Sequence, residues 1–259
     1  MSTQLPPAQS GAPYDPSTSA MPPAAPAPPA AVWEDFVDIF TAPAAVFARR
    51  AKGSFWVPTL VVAAVVGVVF VANQGVLQPM LDAEFQRGAA AAMRNNPAVT
   101  PEMMARMRSF GEKMAMVMAF LGVPIAVFLI AGALWLTGKL FDALQAFHAA
   151  LVVAAYAYVP KIVESVLMTI QGLVMDPASL DGRYRMSLGP ARFLDPDTAS
   201  PVLLALVGRV DVITIWVTVL LAIGLSVTGK ISRPKAAVAA AIVWLLGGLL
   251  PLWQAIQAS

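Results

Sequence analysis

Residues 114–138 read MAMVMAFLGVPIAVFLIAGALWLTG, and this stretch of 25 residues contains no charged side chain. A transmembrane helix needs about 20 consecutive apolar residues to cross a hydrocarbon layer ~30 Å thick. Two other stretches meet this condition, residues 55–81 with 27 uncharged residues and residues 236–259 with 24. Helices of soluble proteins average about 11–12 residues and carry a polar stripe. Because these stretches have no such stripe, they predict membrane spans rather than buried helices of a soluble core.

Two less regular stretches complete the prediction. Residues 212–229 are uncharged and have charged residues on both sides, whereas residues 149–174 are apolar apart from an interruption at Pro160, Lys161 and Glu164. Within lipid, each backbone N–H and C=O must be paired inside its own segment, which favours helices. The chain is therefore predicted to be an all-α polytopic membrane protein, a bundle of five transmembrane helices. The predicted spans are residues 55–81, 114–138, 149–174, 212–229 and 236–257.

The composition excludes several classes of function. Charged residues make up 12% of the chain, about half the usual ~25% of a soluble domain. The net charge is only +2, and no basic cluster with interleaved aromatic residues is present, so a nucleic-acid partner is not expected. With no cysteine and one histidine, we predict no metal and no cofactor. Nucleotide-binding glycine loops, nucleophile elbows and HExxH helices are also missing from the sequence, so we predict that the chain is not an enzyme.

The sequence divides into three regions. Residues 1–31 are rich in Pro, Ala and Ser, carry a single charge at Asp15 and predict a disordered tail without a secretory signal. Residues 32–53 predict an amphipathic helix region that lies in the membrane interface. Residues 54–259 form the predicted five-span domain.

The amphipathic region has aromatic residues at three- and four-residue spacing on one predicted face and acidic residues, among them Asp35, on the other. Pro43 is expected to divide it into two short helices. Basic residues follow where anionic headgroups would lie. Its predicted membrane-interface residues are Trp33, Phe36, Phe40, Phe47, Arg49 and Arg50.

Two polar connections separate the spans. In residues 82–113 a helix is expected to begin at Thr100-Pro101, since Thr can cap a helix and Pro suits its first turn. Residues 175–209 are rich in turn dipeptides and predict a loop with little regular structure. Basic residues crowd the entry to the first span and the loop at residues 230–235. By the positive-inside rule, both places are predicted to be cytoplasmic, so the N-terminus lies inside and both long connections and the C-terminus lie outside.

Ionisable residues within the third predicted span are the candidate functional residues. Lys161 and Glu164 are spaced i, i+3 and can pair on one helix face. Asp211, at the head of the fourth span, is a second possible partner for Lys161. Pro160 is expected to kink its helix. Charges at membrane depth are costly and mark either a functional site or a structural ion pair, and both interpretations remain open at this point.

Four stretches of the chain resemble a known family. They are FTAPAAVF at residues 40–47, AAYAYVP at 154–160, RVDVITIW at 209–216 with LAIGLS at 221–226, and the basic turn at 230–235 followed by AIVW at 241–244. In this order and spacing they resemble the Yip family of membrane proteins, named for interaction with Ypt/Rab GTPases, and its bacterial branch in particular. The resemblance implies a five-span bundle with a cytoplasmic N-terminus. In eukaryotic members it also implies binding of prenylated small GTPases, a partner that a bacterial chain would lack.

Two functional hypotheses follow. The first is a non-enzymatic membrane adaptor or organising protein of the bacterial cytoplasmic (inner) membrane. Its tail and interfacial helix would contact the lipid bilayer and other membrane or cytoplasmic proteins, with self-association as a further possibility. The second is a small transporter or channel built around Lys161, Glu164 and Asp211. Many transporters are built from repeats, and no internal repeat is detectable here, which favours the adaptor.

Overall fold

The computed structural model describes residues 31–96 and 98–257, so the predicted tail lies outside the described residues except for Ala31. Throughout these residues the regular structure is helical and contains no strand, which confirms the predicted fold class. Four helical stretches of the described residues, one of which comprises two successive helices, are long and apolar enough to cross a membrane, and a bent pair of helices can serve as a fifth span. The α-helices are α1 (Asp35–Thr41), α2 (Pro43–Arg50), α3 (Trp56–Ala72), α4 (Gln74–Asn95), α5 (Pro101–Lys139), α6 (Phe147–Ala157), α7 (Pro160–Val174), α8 (Pro201–Val207), α9 (Val212–Gly229) and α10 (Arg233–Gln257).

The first predicted span is divided by a bend. Helices α3 and α4 meet at Asn73 at an angle of 83°, so the straight helix ends at Ala72 and not at Leu81. The Asn73 side chain donates a hydrogen bond of 2.8 Å to the carbonyl oxygen of Val69, within the last turn of α3. Short polar side chains of this kind compete for backbone groups and favour a helix end. The sequence did not predict the bend, because the apolar run continues unbroken across it.

Helix α5 is one continuous helix of 39 residues. It begins as predicted: the Thr100 hydroxyl accepts a hydrogen bond of 3.3 Å from the Met103 N–H, and Pro101 occupies the first turn. At 1.5 Å per residue the helix is about 58 Å long, nearly twice the thickness of the hydrocarbon layer. Its charged N-terminal third therefore extends beyond the predicted span.

The third span is interrupted where Pro160 predicts a kink. Helix α6 ends at Ala157, and Pro160 opens α7 as its first residue. Proline suits this position because its missing N–H would be unpaired there in any case. The two helices together form a candidate span over Phe147–Val174.

The two long connections contact each other. The Arg87 side chain, on α4, donates to the carbonyl oxygen of Asp181, and the Arg183 N–H donates to a carboxylate oxygen of Glu84 at 3.1 Å. Both connections are therefore at the same end of the bundle, as the five-span topology requires. The second connection has more regular structure than the sequence indicated. It contains 3-10 turns at Pro177–Ser179, Arg183–Met186 and Pro190–Phe193, followed by α8.

Helix α6 occupies the centre of the bundle. Every residue from Ala150 to Ala157 is buried, and α6 packs against α5, α9 and α3. Its alanines and valines let neighbouring helices approach closely, as small residues do in membrane bundles. One close approach is at Gly224 of α9, where an added Cβ would lie 2.4 Å from Cγ1 of the buried Val153.

We expect Gly224→Ala to destabilise the bundle by about 1–3 kcal/mol, because the extra methyl group overpacks the contact between α6 and α9. Gly132→Ala is the matched control, since nothing lies within 4 Å of a Cβ at Gly132. Thermal unfolding of the purified protein in detergent measures the difference. Equal melting temperatures for the two variants would contradict this packing.

Candidate intramembrane polar site and N-terminal clamp

Lys161 and Glu164 form the ion pair that their spacing predicts. Both lie in the first turns of α7, with the Lys161 Nζ 2.5 Å from a carboxylate oxygen of Glu164. About a quarter of each side chain is exposed. The pair follows directly on the break between α6 and α7, which allows its side chains to reach the space between helices.

Two cavities meet at this pair. One, of about 210 Å³, lies between α5, α7, α9 and α10, and the other, of about 280 Å³, lies between α3, α5 and α7. Tyr158 and Lys161 line both, and Glu164 lines the second. We call the first the Arg209 cavity; its polar lining residues are Tyr158, Lys161, Arg209, Thr214 and Thr218.

Asp211 has a different role from the one proposed. It caps α9, where one carboxylate oxygen accepts hydrogen bonds from the N–H groups of Ile213 at 2.9 Å and Thr214 at 3.4 Å. The other oxygen accepts from the N–H of Leu188 at 2.7 Å. Among the described residues, Lys161 forms an ion pair with Glu164 and not with Asp211. A buried carboxylate satisfied in this way fixes the start of α9 and the adjoining connection.

Arg209 is a charged cavity residue outside the predicted polar site of Lys161, Glu164 and Asp211. Its guanidinium lies over the ring of Trp244, 5.3 Å from the ring centroid, and donates to the Trp244 carbonyl oxygen at 2.5 Å. Gly247 and Gly248 make room for it, because an added Cβ at either would lie within 3.3 Å of the guanidinium. From the sequence, Arg209 is a basic residue ahead of the fourth span, and nothing near it along the chain indicates a contact with Trp244. Its partner on α10 is 35 residues further along the chain.

The N-terminal helices α1 and α2 are attached to the bundle through Asp35. We call Asp35, Arg49, Arg50 and Tyr156 the N-terminal clamp. The sequence placed Asp35 on the polar face of an interfacial helix, whereas in the structure it is fully buried. Arg49 and Arg50 donate to its two carboxylate oxygens, with Nε–oxygen distances of 2.7 and 2.6 Å. The Tyr156 hydroxyl of α6 donates to it at 3.0 Å. Periodicity predicts the faces of a helix. It cannot show that two arginines on α2 neutralise one acidic residue, or that a tyrosine on α6 helps to bury it.

The predicted interface residues therefore separate into two groups. Phe47 is fully buried, and Phe36 is partly buried with its ring 6.4 Å from that of Tyr156. Trp33 remains 69% exposed, and Phe40 is exposed as well. The α1–α2 hairpin thus buries one apolar face against α6 and α9 and presents a second apolar edge outward.

Among the described residues, no group of three or more His, Asp or Glu side chains could hold a metal ion. Lys161 and Glu164 form an ion pair, Asp211 caps a helix and Asp35 holds the N-terminal hairpin.

We expect Asp35→Asn to release the hairpin, because a neutral amide cannot hold two guanidinium groups. Breaking a buried ion pair costs about 3–5 kcal/mol, so the undocked population should rise about 100-fold or more. Maleimide labelling of Val46→Cys, a buried position in a chain without cysteine, measures this opening. Asp38→Asn is the control, because it removes only the more exposed ion pair between Asp38 and Arg49. In this variant, labelling of Val46→Cys should stay slow. Equal labelling rates for the two variants would contradict the clamp.

Comparison with models of protein families agrees with the family resemblance of the four stretches of sequence. No curated protein and no solved structure matched the chain. A model of the Yip1 domain matches residues 37–254, a range that contains the clamp arginines, the cavity residues and the candidate spans, except for the end of α10, which continues to Gln257. With its apolar helices and this match, the chain is an integral, multi-pass membrane protein that belongs to the Yip1 domain family.

Proposed function

We propose that this protein is a non-enzymatic membrane adaptor whose α1–α2 hairpin binds partner proteins. The observation that carries the proposal is the combination of a rigid attachment with an exposed apolar edge. Asp35 holds the hairpin to α6, while Val32, Trp33, Val37 and Phe40 remain exposed beside it. A pre-organised apolar surface binds with a smaller loss of conformational entropy than a flexible one.

The location of the hairpin supports this function. It is attached ahead of the first span, where Arg49, Arg50 and Lys52 concentrate positive charge. The positive-inside rule places such residues on the cytoplasmic side. We infer a cytoplasmic N-terminus in a bacterial inner membrane, so that the exposed edge faces the cytoplasmic half of the bilayer and the proteins bound there.

We expect a photo-crosslinking amino acid at position 33 to form discrete protein adducts in cells. The same amino acid at Phe193 is the matched control, because Phe193 is also a highly exposed aromatic residue and lies in the second long connection. Adducts at position 33 should weaken when Asp35→Asn is added. If position 33 gives lipid adducts alone, or the same protein adducts as position 193, the adaptor function is wrong.

The second candidate function is a transporter or channel. The observation that favours it is that Lys161 borders two cavities within the span region and that its partner Glu164 borders one of them. Ionisable residues that face a cavity in the membrane often mark a pathway for a solute or proton. Asp211 does not support this candidate, since its carboxylate is occupied by backbone N–H groups.

We expect a transporter to move a small ion or solute in proteoliposomes, and Lys161→Ala or Glu164→Ala to abolish that flux. Lys235→Ala is the control, because Lys235 is half exposed and lies outside both cavities. Flux that is unchanged in the Lys161 and Glu164 variants, with both proteins folded, would leave the ion pair with a structural role only.

A further inference from the structure

The Arg209 cavity carries an excess of positive charge. Lys161 and Arg209 each contribute one positive charge to its lining, and the acidic side chain beside them, Glu164, is paired with Lys161. The three groups sum to one net positive charge. A net charge in a poorly hydrated site is costly unless a counter-charge accompanies it.

Arg209 is the group without a counter-charge. A guanidinium has five N–H donors, yet within the described residues it makes no ion pair, and its buried Nε has no hydrogen-bond partner. Its contacts are the carbonyl oxygen and the ring of Trp244. Asp211 is near in sequence, but both of its carboxylate oxygens already accept hydrogen bonds from backbone N–H groups.

The remaining lining suits an amphiphile. The hydroxyl-bearing residues Tyr158, Thr214 and Thr218 line the cavity together with apolar residues that include Ile130 and Val217. The Thr218 hydroxyl donates to the Thr214 carbonyl oxygen at 2.8 Å. The proton of this hydroxyl is therefore engaged, and only its lone pairs remain free to accept a hydrogen bond. The volume of about 210 Å³ is far above the roughly 10–15 Å³ at which a cavity holds one water molecule.

We propose that the Arg209 cavity binds the phosphate group of an anionic phospholipid, with Arg209 and Lys161 as its ligands. The guanidinium fork matches phosphate oxygens in geometry and forms charge-assisted hydrogen bonds with them. A phosphodiester carries a single negative charge and neutralises the net charge of the cavity. The acyl chains would then continue along the apolar side chains toward the bilayer. The site is separate from the N-terminal clamp and does not depend on the adaptor function.

Lipid titration of the full-length protein in neutral detergent tests this site. Phosphatidylglycerol, phosphatidylcholine and inorganic phosphate are added separately. Bound lipid is counted by native mass spectrometry, and the melting temperature is recorded. We expect one phosphatidylglycerol molecule to be retained in preference to phosphatidylcholine. Arg209→Gln should weaken its binding at least about tenfold, given the strength of hydrogen bonds to charged groups.

Two further variants keep the test decisive. Lys161→Gln removes the second cation and leaves the Arg209 contact with Trp244 intact, so it serves if Arg209→Gln does not fold. Arg233→Gln is the control, because Arg233 is an exposed residue at the start of α10 and outside the cavity. We expect Lys161→Gln to weaken binding and Arg233→Gln to leave it unchanged.

The outcomes separate the sources of the phosphate group. Stabilisation by inorganic phosphate alone, lost in Arg209→Gln, would support the phosphate site and assign it to a soluble ligand. Phosphatidylglycerol binding that is equal in the wild type and in both cavity variants would overturn the proposal. So would the lack of any preference for phosphatidylglycerol together with no effect of inorganic phosphate. Failure of the crosslinking test at position 33 would leave this result untouched, since the two sites share no residue.

Discussion

The close packing of α6 is the constraint on which the rest of the structure depends. Lipid offers no hydrophobic driving force between helices, so membrane bundles are stabilised by tight van der Waals contact. From Ala150 to Ala157 every side chain of α6 is buried, and α5, α9 and α3 surround it. The fit between Val153 and Gly224 shows how little space remains. A helix enclosed in this way fixes the positions of all the polar groups attached to it.

Tyr156, in the last turn of α6, and Tyr158, the residue directly after its end, connect that packing to the two polar regions. Tyr156 and Tyr158 are two residues apart, about 200° around the helix at 3.6 residues per turn. They therefore face opposite sides of α6. Tyr156 contacts Asp35 and the N-terminal hairpin, whereas Tyr158 lines both cavities. The proposed protein-binding edge and the proposed phosphate site thus lie on opposite sides of one central helix.

The charged groups at the N-terminal hairpin and around the cavities illustrate one physical rule, from which Arg209 departs. Ionisable side chains in a low-dielectric region require a partner. Asp35 is neutralised by two arginines, Lys161 by Glu164, and Asp211 accepts backbone N–H groups. Arg209 is stabilised by an aromatic ring and a carbonyl oxygen, and neither of these carries a full negative charge. This difference singles out the Arg209 cavity as a place for an external anion.

The sequence alone determined the membrane class, the all-helical fold, the start of α5 at Thr100-Pro101 and the Lys161–Glu164 pair. These features depend on local information: the length of an uncharged run, the chemistry of a cap and a spacing of three residues along one helix. The bend at Asn73, the burial of Asp35 and the contact of Arg209 with Trp244 were decided only by tertiary structure. Each of these depends on groups brought together from distant parts of the chain or on a direction change within an unbroken apolar run. Hydropathy records how apolar a segment is, but which neighbour neutralises a charge depends on how the helices pack.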